Sequence, residues 1–150
     1  MNYGKITSIE EVRDIEFEIP ASPKGGFSGR IAMDGYKITA GDQTISVLIS
    51  NEQNCCEAWG YIASEDDLSG FVGESLLDVR LTDTALYQKS IDKSDYYTGC
   101  DDMDCGGIQF VDFVTDKGIF QLAVYNAHNG YYGHPIVVAI DDNVLISDTL

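Results

Sequence analysis

The apolar positions of this chain fall into short runs with a two-residue period, separated by turn-forming clusters, and that spacing predicts strands rather than long helices. In residues 11–19, EVRDIEFEI, the side chains Ile15, Phe17 and Ile19 alternate with charged neighbours and predict a strand. PASPKGGFSG at 20–29 holds two of the three prolines and three glycines, and reads as a loop. Residues 30–40 and 43–50 are both rich in Ile, Tyr, Thr and Val, and the intervening Gly41-Asp42 suits the tight connection of a β-hairpin. A third apolar run, CCEAWGYIA at 55–63, follows the polar turn SNEQN and is expected to extend the same antiparallel sheet.

Beyond it, SEDDLSGFVG at 64–73 begins with a serine and three acidic residues, as a helix N-terminus does, and Gly70 and Gly73 limit it to about two turns, so a short helix near 64–72, or a turn, is expected to cover the sheet. ESLLDVRLTDTALYQ at 74–88 fits a strand or a helix by period alone; the branched Val79, Thr82 and Thr84 favour a strand. The polar, acidic stretch 89–107 reads as a long loop. After it, 108–115 and 119–126 flank the turn Asp116-Lys117-Gly118 as a second hairpin, and 135–140 with 144–146 supply closing strands. The expected fold is mainly β, of the strand-rich α+β kind: an antiparallel sheet, sandwich or partial barrel with one or two short helices.

At 150 residues the chain has the size of one globular domain spanning 1–150, and 44% hydrophobic against 23% charged residues gives it enough apolar material for a packed core. Charge changes the picture more. Twenty-five acidic against nine basic residues leave a formal net charge of −16, which opposes contacts dominated by phosphate, so direct DNA or RNA binding is not expected. No apolar run of about 18 residues is present, and the acidic start lacks a secretory pattern, so the sequence predicts a cytoplasmic protein with no membrane contact. In that compartment Cys55, Cys56, Cys100 and Cys105 are expected to be thiols.

The cysteines are the one set with metal-like composition, yet adjacent Cys55 and Cys56 on a strand point to opposite faces, against the paired spacing that zinc needs. Asp101, Asp102 and Asp104 lack the order of a calcium loop and read as a solvated acidic loop. Neither a metal nor a cofactor is expected. No P-loop, GxGxxG, HExxH or GxSxG motif occurs, so the chemistries those motifs serve lack support.

Two segments carry binding chemistry. NAHNGYYGHP at 126–135 concentrates both histidines and two tyrosines around Asn129-Gly130, whose turn exposes backbone N–H groups while Tyr131 and Tyr132 offer stacking faces. The plain alternative is an ordinary hairpin turn with half-buried tyrosines. His128 and His134 have no sequence-fixed catalytic partner and read as turn or surface histidines rather than acid–base groups. Glu57 and Trp59 lie two apart and share a strand face, where they either read a ribose hydroxyl and a base edge or form a buried polar pair. Arg30 and Arg80 sit in or beside apolar strands, where a guanidinium meets either a phosphate or an internal carboxylate. Lys117, in its turn, is expected to be exposed.

Three islands, Cys55-Cys56-Glu57, Thr115-Asp116-Lys117-Gly118 and Asn129-Gly130-Tyr131-Tyr132-Gly133, resemble a family of small phage and bacterial proteins over about residues 50–140. Residues 1–30 and the Cys100–Cys105 loop carry none of that pattern. The resemblance implies a setting more than an activity: phage counter-defence, in an infected bacterial host cell. Some phage domains of this size act as sponges that hold cyclic nucleotides or ADP-ribose derivatives. By that analogy the chain is expected to sequester a small nucleotide-type immune signal without consuming it, often at a subunit junction of a homo-oligomer. Trp59, Tyr131 and Tyr132 would stack on the ligand, and Glu57, Asn129, His134 and Arg30 would supply polar contacts. The alternative is that the acidic surface imitates nucleic acid or docks on a basic host defence protein; a third reading is nucleotide hydrolysis by the histidines and carboxylates.

Overall fold

A computed structural model of the chain describes residues 3–21, 29–52, 57–86, 105–128, 134–141 and 143–150. Its strands are β1 (Gly4–Ile19), β2 (Gly29–Ala40), β3 (Gln43–Ser50), β4 (Glu57–Ala63), β5 (Ser75–Thr82), β6 (Cys105–Thr115), β7 (Ile119–His128), β8 (Pro135–Ile140) and β9 (Asn143–Thr149). They form one nine-stranded antiparallel sheet in the order β4-β7-β6-β5-β1-β2-β3-β8-β9, which does not close on itself. The mainly β, antiparallel architecture is therefore as the two-residue period predicts.

β1 is the corner of this sheet. Its first residues, Gly4 and Lys5, pair with Leu76 and Ser75 of β5, whereas from Ile6 to Ile19 it pairs with β2. At this corner the sheet folds over, so that the inward side chains of its two halves meet in one core. Ile38, Ile45, Val47, Ile49, Ile136 and Val138 pack from one half against Val111, Phe113, Phe120, Leu122 and Val124 from the other. Phe113 and Phe120 stack there with centroids 4.8 Å apart, and truncating either to alanine removes contacts worth about 3–5 kcal/mol in such a core. The alternate residues Leu48, Val137 and Ala139 face the other way and join Ile19 and Met33 in a second, smaller cluster.

The β2–β3 turn is fastened to the corner. Gly41 donates its N–H to the Lys5 carbonyl at 3.0 Å. A Cβ on Gly41 would lie 2.5 Å from the Tyr3 carbonyl oxygen, and its φ of +57° is one that glycine adopts freely. Gly41-Asp42 thus makes the predicted hairpin turn and also lets two chain segments touch.

Two expectations are corrected and one is refined. The helix over 64–72 is reduced to the 3-10 turn Ser69–Phe71, because local side chains divert the backbone: Ser64 exchanges bonds with Gln121 of β7, and Asp67 accepts the Ser69 N–H at 2.9 Å in an Asx-type turn. Phe71 nevertheless anchors the turn by packing on Phe120 at 4.7 Å. The run ending at Ala63 does join the same antiparallel sheet, as β4, but not beside the β2–β3 hairpin: β8 takes the free edge of β3, and β4 pairs with β7 at the opposite end. The expected loop over 89–107 ends earlier, since β6 begins at Cys105; the rest of that stretch lies outside the described residues. No helix among the described residues is long and apolar enough to cross a membrane.

Gly35 provides a test of this register. It pairs with Val12 on one side and Leu48 on the other, with φ +151°, and a Cβ there would fall on the Val47 carbonyl oxygen. Gly35→Ala is expected to destabilise the protein by about 3 kcal/mol in urea unfolding. Gly70→Ala, where a Cβ meets open space, should stay within about 0.5 kcal/mol. Equal midpoints for the two variants would contradict the register.

Candidate functional site

β4 is an edge strand with its inward residues Trp59, Tyr61 and Ala63 packed against the core. Across the seam from it, Glu11 of β1 and Tyr36 of β2 stand in register on neighbouring strands. The rings of Tyr36 and Tyr61 meet edge to face at 5.3 Å and 89°, a favoured aromatic geometry. Tyr61 then donates its hydroxyl to Glu11 Oε1 at 2.5 Å, joining the two halves of the folded sheet by a side-chain bond. Arg13 donates to the same oxygen from Nε at 3.1 Å and Nη2 at 2.9 Å.

A bulge holds this group in place. The β1–β2 register shifts between Val12 and Ile15, and Asp14 takes a φ of +53°. Asp34 accepts the Asp14 N–H at 2.8 Å, and Asn51 Nδ2 donates to both Asp14 Oδ1 and Asp34 Oδ1. The extra residue of the bulge is therefore held by Asp34 of β2 and by Asn51, just past the end of β3.

The result is a shallow hollow of about 450 Å³ whose rings are Tyr36, Trp59, Tyr61 and Tyr125 and whose charged groups are Glu11, Arg13 and Asp34. Gly60 makes room for Tyr125: a Cβ at position 60 would lie 2.5 Å from the Tyr125 hydroxyl and 2.8 Å from Cζ, so that ring reaches over the edge strand only because residue 60 has no side chain. A second hollow of about 360 Å³ adjoins the first through Glu11 and Tyr36 and carries Glu65, Asp66 and Asp67 on its wall. On another part of the molecule, a larger hollow of about 790 Å³ is lined by Glu16, Glu18 and Asp141 with Lys37.

Of the sequence-predicted site residues, Trp59 and His134 are brought together. Their rings stack at 5.4 Å and 28°. His134 is no surface residue: it is 1% exposed, its backbone exchanges both hydrogen bonds with Leu150, and its Nε2–H donates to the Glu52 carbonyl at 2.5 Å. A carbonyl only accepts, so that contact fixes the proton on Nε2. Arg30 stands elsewhere. It pairs with Glu18, bonds Glu16 at 3.4 Å with both side chains exposed, and lies six residues along β2 from Tyr36, about 20 Å of strand. Glu57 is placed by its backbone at one end of the sheet, where Glu57 and Cys105 both pair with His128. Asn129, Tyr131 and Tyr132 lie outside the described residues, as do Cys55, Cys56 and Cys100. Arg80 meets Asp78 at 3.5 Å, and Lys117 is exposed in its turn. Among the described residues no three metal-ligating side chains cluster.

Sequence reasoning missed Glu11, Tyr36 and Tyr61, and gave Arg13 no role beyond being one of the chain's sparse cations. The available signals were polar aromatics at core-face positions of two strands, Tyr36 two before Ile38 and Tyr61 two before Ala63, and the two-residue step from Glu11 to Arg13. Electrostatically these groups lock one another. The Tyr61 hydroxyl, then Arg13, hold the Glu11 carboxyl below its ordinary value. Burial, then the Glu11 bond, push the Tyr61 phenol up to about 12, and burial together with the Glu11 charge raises Tyr36 as well.

The sign of each shift fixes a pH window. Glu11 is depressed, so its contribution to stability is complete above the ordinary value of 4.5 and is lost as the pH falls through its lower folded value. Tyr61 is raised, so its contribution is complete below 10 and is lost as the pH rises through about 12. In NMR titration of ring-labelled tyrosine, Glu11→Gln should move the Tyr61 midpoint from about 12 toward 10. An unmoved midpoint would show that the bond does not form in solution.

A family model described as a domain of unknown function (DUF7448) matches residues 3–138, a span that takes in every residue of the two adjoining hollows. No curated protein and no solved structure matches the chain.

Proposed function

The chain belongs to the DUF7448 family, and we propose that it is a binding protein that docks on a basic protein partner without catalysing a reaction. The observation that carries this reading is the composition of the hollows. Glu11, Asp34, Glu65, Asp66 and Asp67 face the two adjoining ones, and Glu16, Glu18 and Asp141 the third; among the described lining residues the cations are Arg13, already bonded to Glu11, and Lys37. Superposed on a net charge of −16, such surfaces steer a cationic partner in and repel phosphate. In the phage setting implied by the resemblance, that partner is a basic host defence protein.

The titratable pair supports binding over catalysis. Glu11 is held charged and Tyr61 is held protonated across the neutral range, so neither is poised to exchange a proton near pH 7 as a general acid or base must.

A second reading is favoured by one specific observation, the four rings around the first hollow. Aromatic faces with carboxylates beside them suit the base and ribose hydroxyls of a nucleotide-derived signal, which the protein would sequester intact. Its phosphates would have to stay clear of Glu11 and Asp34.

Both readings meet in one comparison. Partners captured from bacterial lysate are identified, purified and titrated by calorimetry at two salt concentrations, in parallel with incubation of the protein with cyclic oligonucleotides and ADP-ribose derivatives, heat release and mass spectrometry. The docking reading expects a purified basic protein whose affinity drops about tenfold or more from 50 to 200 mM salt. Recovery of an intact nucleotide with no salt-sensitive protein partner would overturn it in favour of sequestration, and recovery of a cleaved product would overturn both.

A further inference from the structure

Resting on the docking reading, the geometry points to one place for the partner: we infer that the seam between β4 and the β1–β2 pair takes an extended Lys- or Arg-bearing segment, which adds to β4 as a further strand. Three independent features coincide there. First, β4 bonds only to β7, so its other edge carries a row of N–H and C=O groups with no ladder partner among the described residues. Such an edge is a template for a strand from another chain.

Second, the two adjoining hollows share Glu11 and Tyr36 and so make one trough along that strand. From Trp59 to Ala63 it spans four residue steps, about 13 Å, the length of a four- or five-residue extended segment. Third, charge is one-sided: Glu11, Asp34, Glu65 and Asp67 line the trough, with Arg13 the cation among its described lining residues. Aromatic faces between carboxylates receive the methylene stems and cationic heads of lysine and arginine, so the trough selects for them and against acidic or phosphorylated segments. Alternation of an added strand sends every second side chain to one face, which makes a Lys-x-Lys or Arg-x-Arg pattern the segment of best fit.

The test uses the full chain and a fluorescent peptide with lysine at alternate positions, beside the same peptide with glutamate in their place. Anisotropy at low salt should show the lysine peptide binding at least about tenfold more tightly, an effect of the size expected for matched against opposed charge. Glu11→Gln with Asp34→Asn should weaken it by about fivefold or more, whereas Asp42→Asn with Asp148→Asn, exposed and outside all three hollows, should change it by less than about twofold. Should the first pair fail to fold, Glu65→Gln on the loop wall serves instead. Bound peptide should also slow hydrogen exchange at the amides of β4.

Equal losses from both carboxylate pairs, or no slowing at β4, would overturn the seam site while leaving docking intact, because the purified partner's own salt-dependent titration is independent of the peptide. No binding of the lysine peptide, with partner affinity unmoved by Glu11→Gln and Asp34→Asn, likewise removes the seam alone. Loss of partner binding altogether removes both.

Discussion

The change of partner along β1 is the constraint on which the rest of this structure depends. One strand serves two neighbours, β5 over only Gly4–Lys5 and β2 from Ile6 onward, and because the halves on either side of it share one core, the sheet folds over at that exchange. Folding turns one face of nine strands inward on itself, so the core of Ile38, Val47, Phe113, Phe120 and Val124 is a consequence of the corner rather than of two separate sheets meeting. The same fold brings the edge strand β4 against the middle strands β1 and β2. Without the corner, Tyr61 and Glu11 would belong to opposite halves of a flat sheet.

The seam follows from what occupies core-face positions near that edge. Deep in the sandwich those positions are Val, Ile, Leu and Phe, whereas at the seam they are Tyr36, Trp59 and Tyr61. A tyrosine there buries most of a ring and still needs a partner for its hydroxyl. Glu11 satisfies that need for Tyr61, and Arg13 balances the carboxylate, so a local sequence feature, Glu-x-Arg before a bulge, completes a bond between elements fifty residues apart. Stability and, on the proposed docking reading, recognition draw on the same groups.

Much of this was legible in the sequence. The two hairpins, 30–50 and 108–126, were readable because alternation and turn residues act over neighbouring positions, and Gly41-Asp42 and Asp116-Lys117-Gly118 mark their turns. The placement of β4 was not, since its partner is chosen by packing of Trp59 and Tyr61 against strands far away in the chain. The helix at 64–72 failed for a related reason: Ser64 and Asp67 gave their oxygens to a neighbouring strand and to a tight turn, a competition that composition alone does not decide. Trp59 and His134 were singled out and do stand together. Glu11 and Tyr61 were passed over because neither is unusual within its own strand, and only the corner makes them a pair.

The acidity of the chain acquires a different meaning once the strands are placed. Twenty-five carboxylates against nine cations impose self-repulsion on a compact state, and a fold indifferent to charge would disperse them over the outward faces. Here some are set facing one another across concavities. Glu11, Asp34 and the 65–67 carboxylates look into one trough, and Glu16, Glu18 and Asp141 line another hollow. Concave walls of one sign focus field lines and deepen the local potential beyond what the same charges produce on a convex surface. On the proposed docking reading, such walls are where a cationic segment would be drawn in.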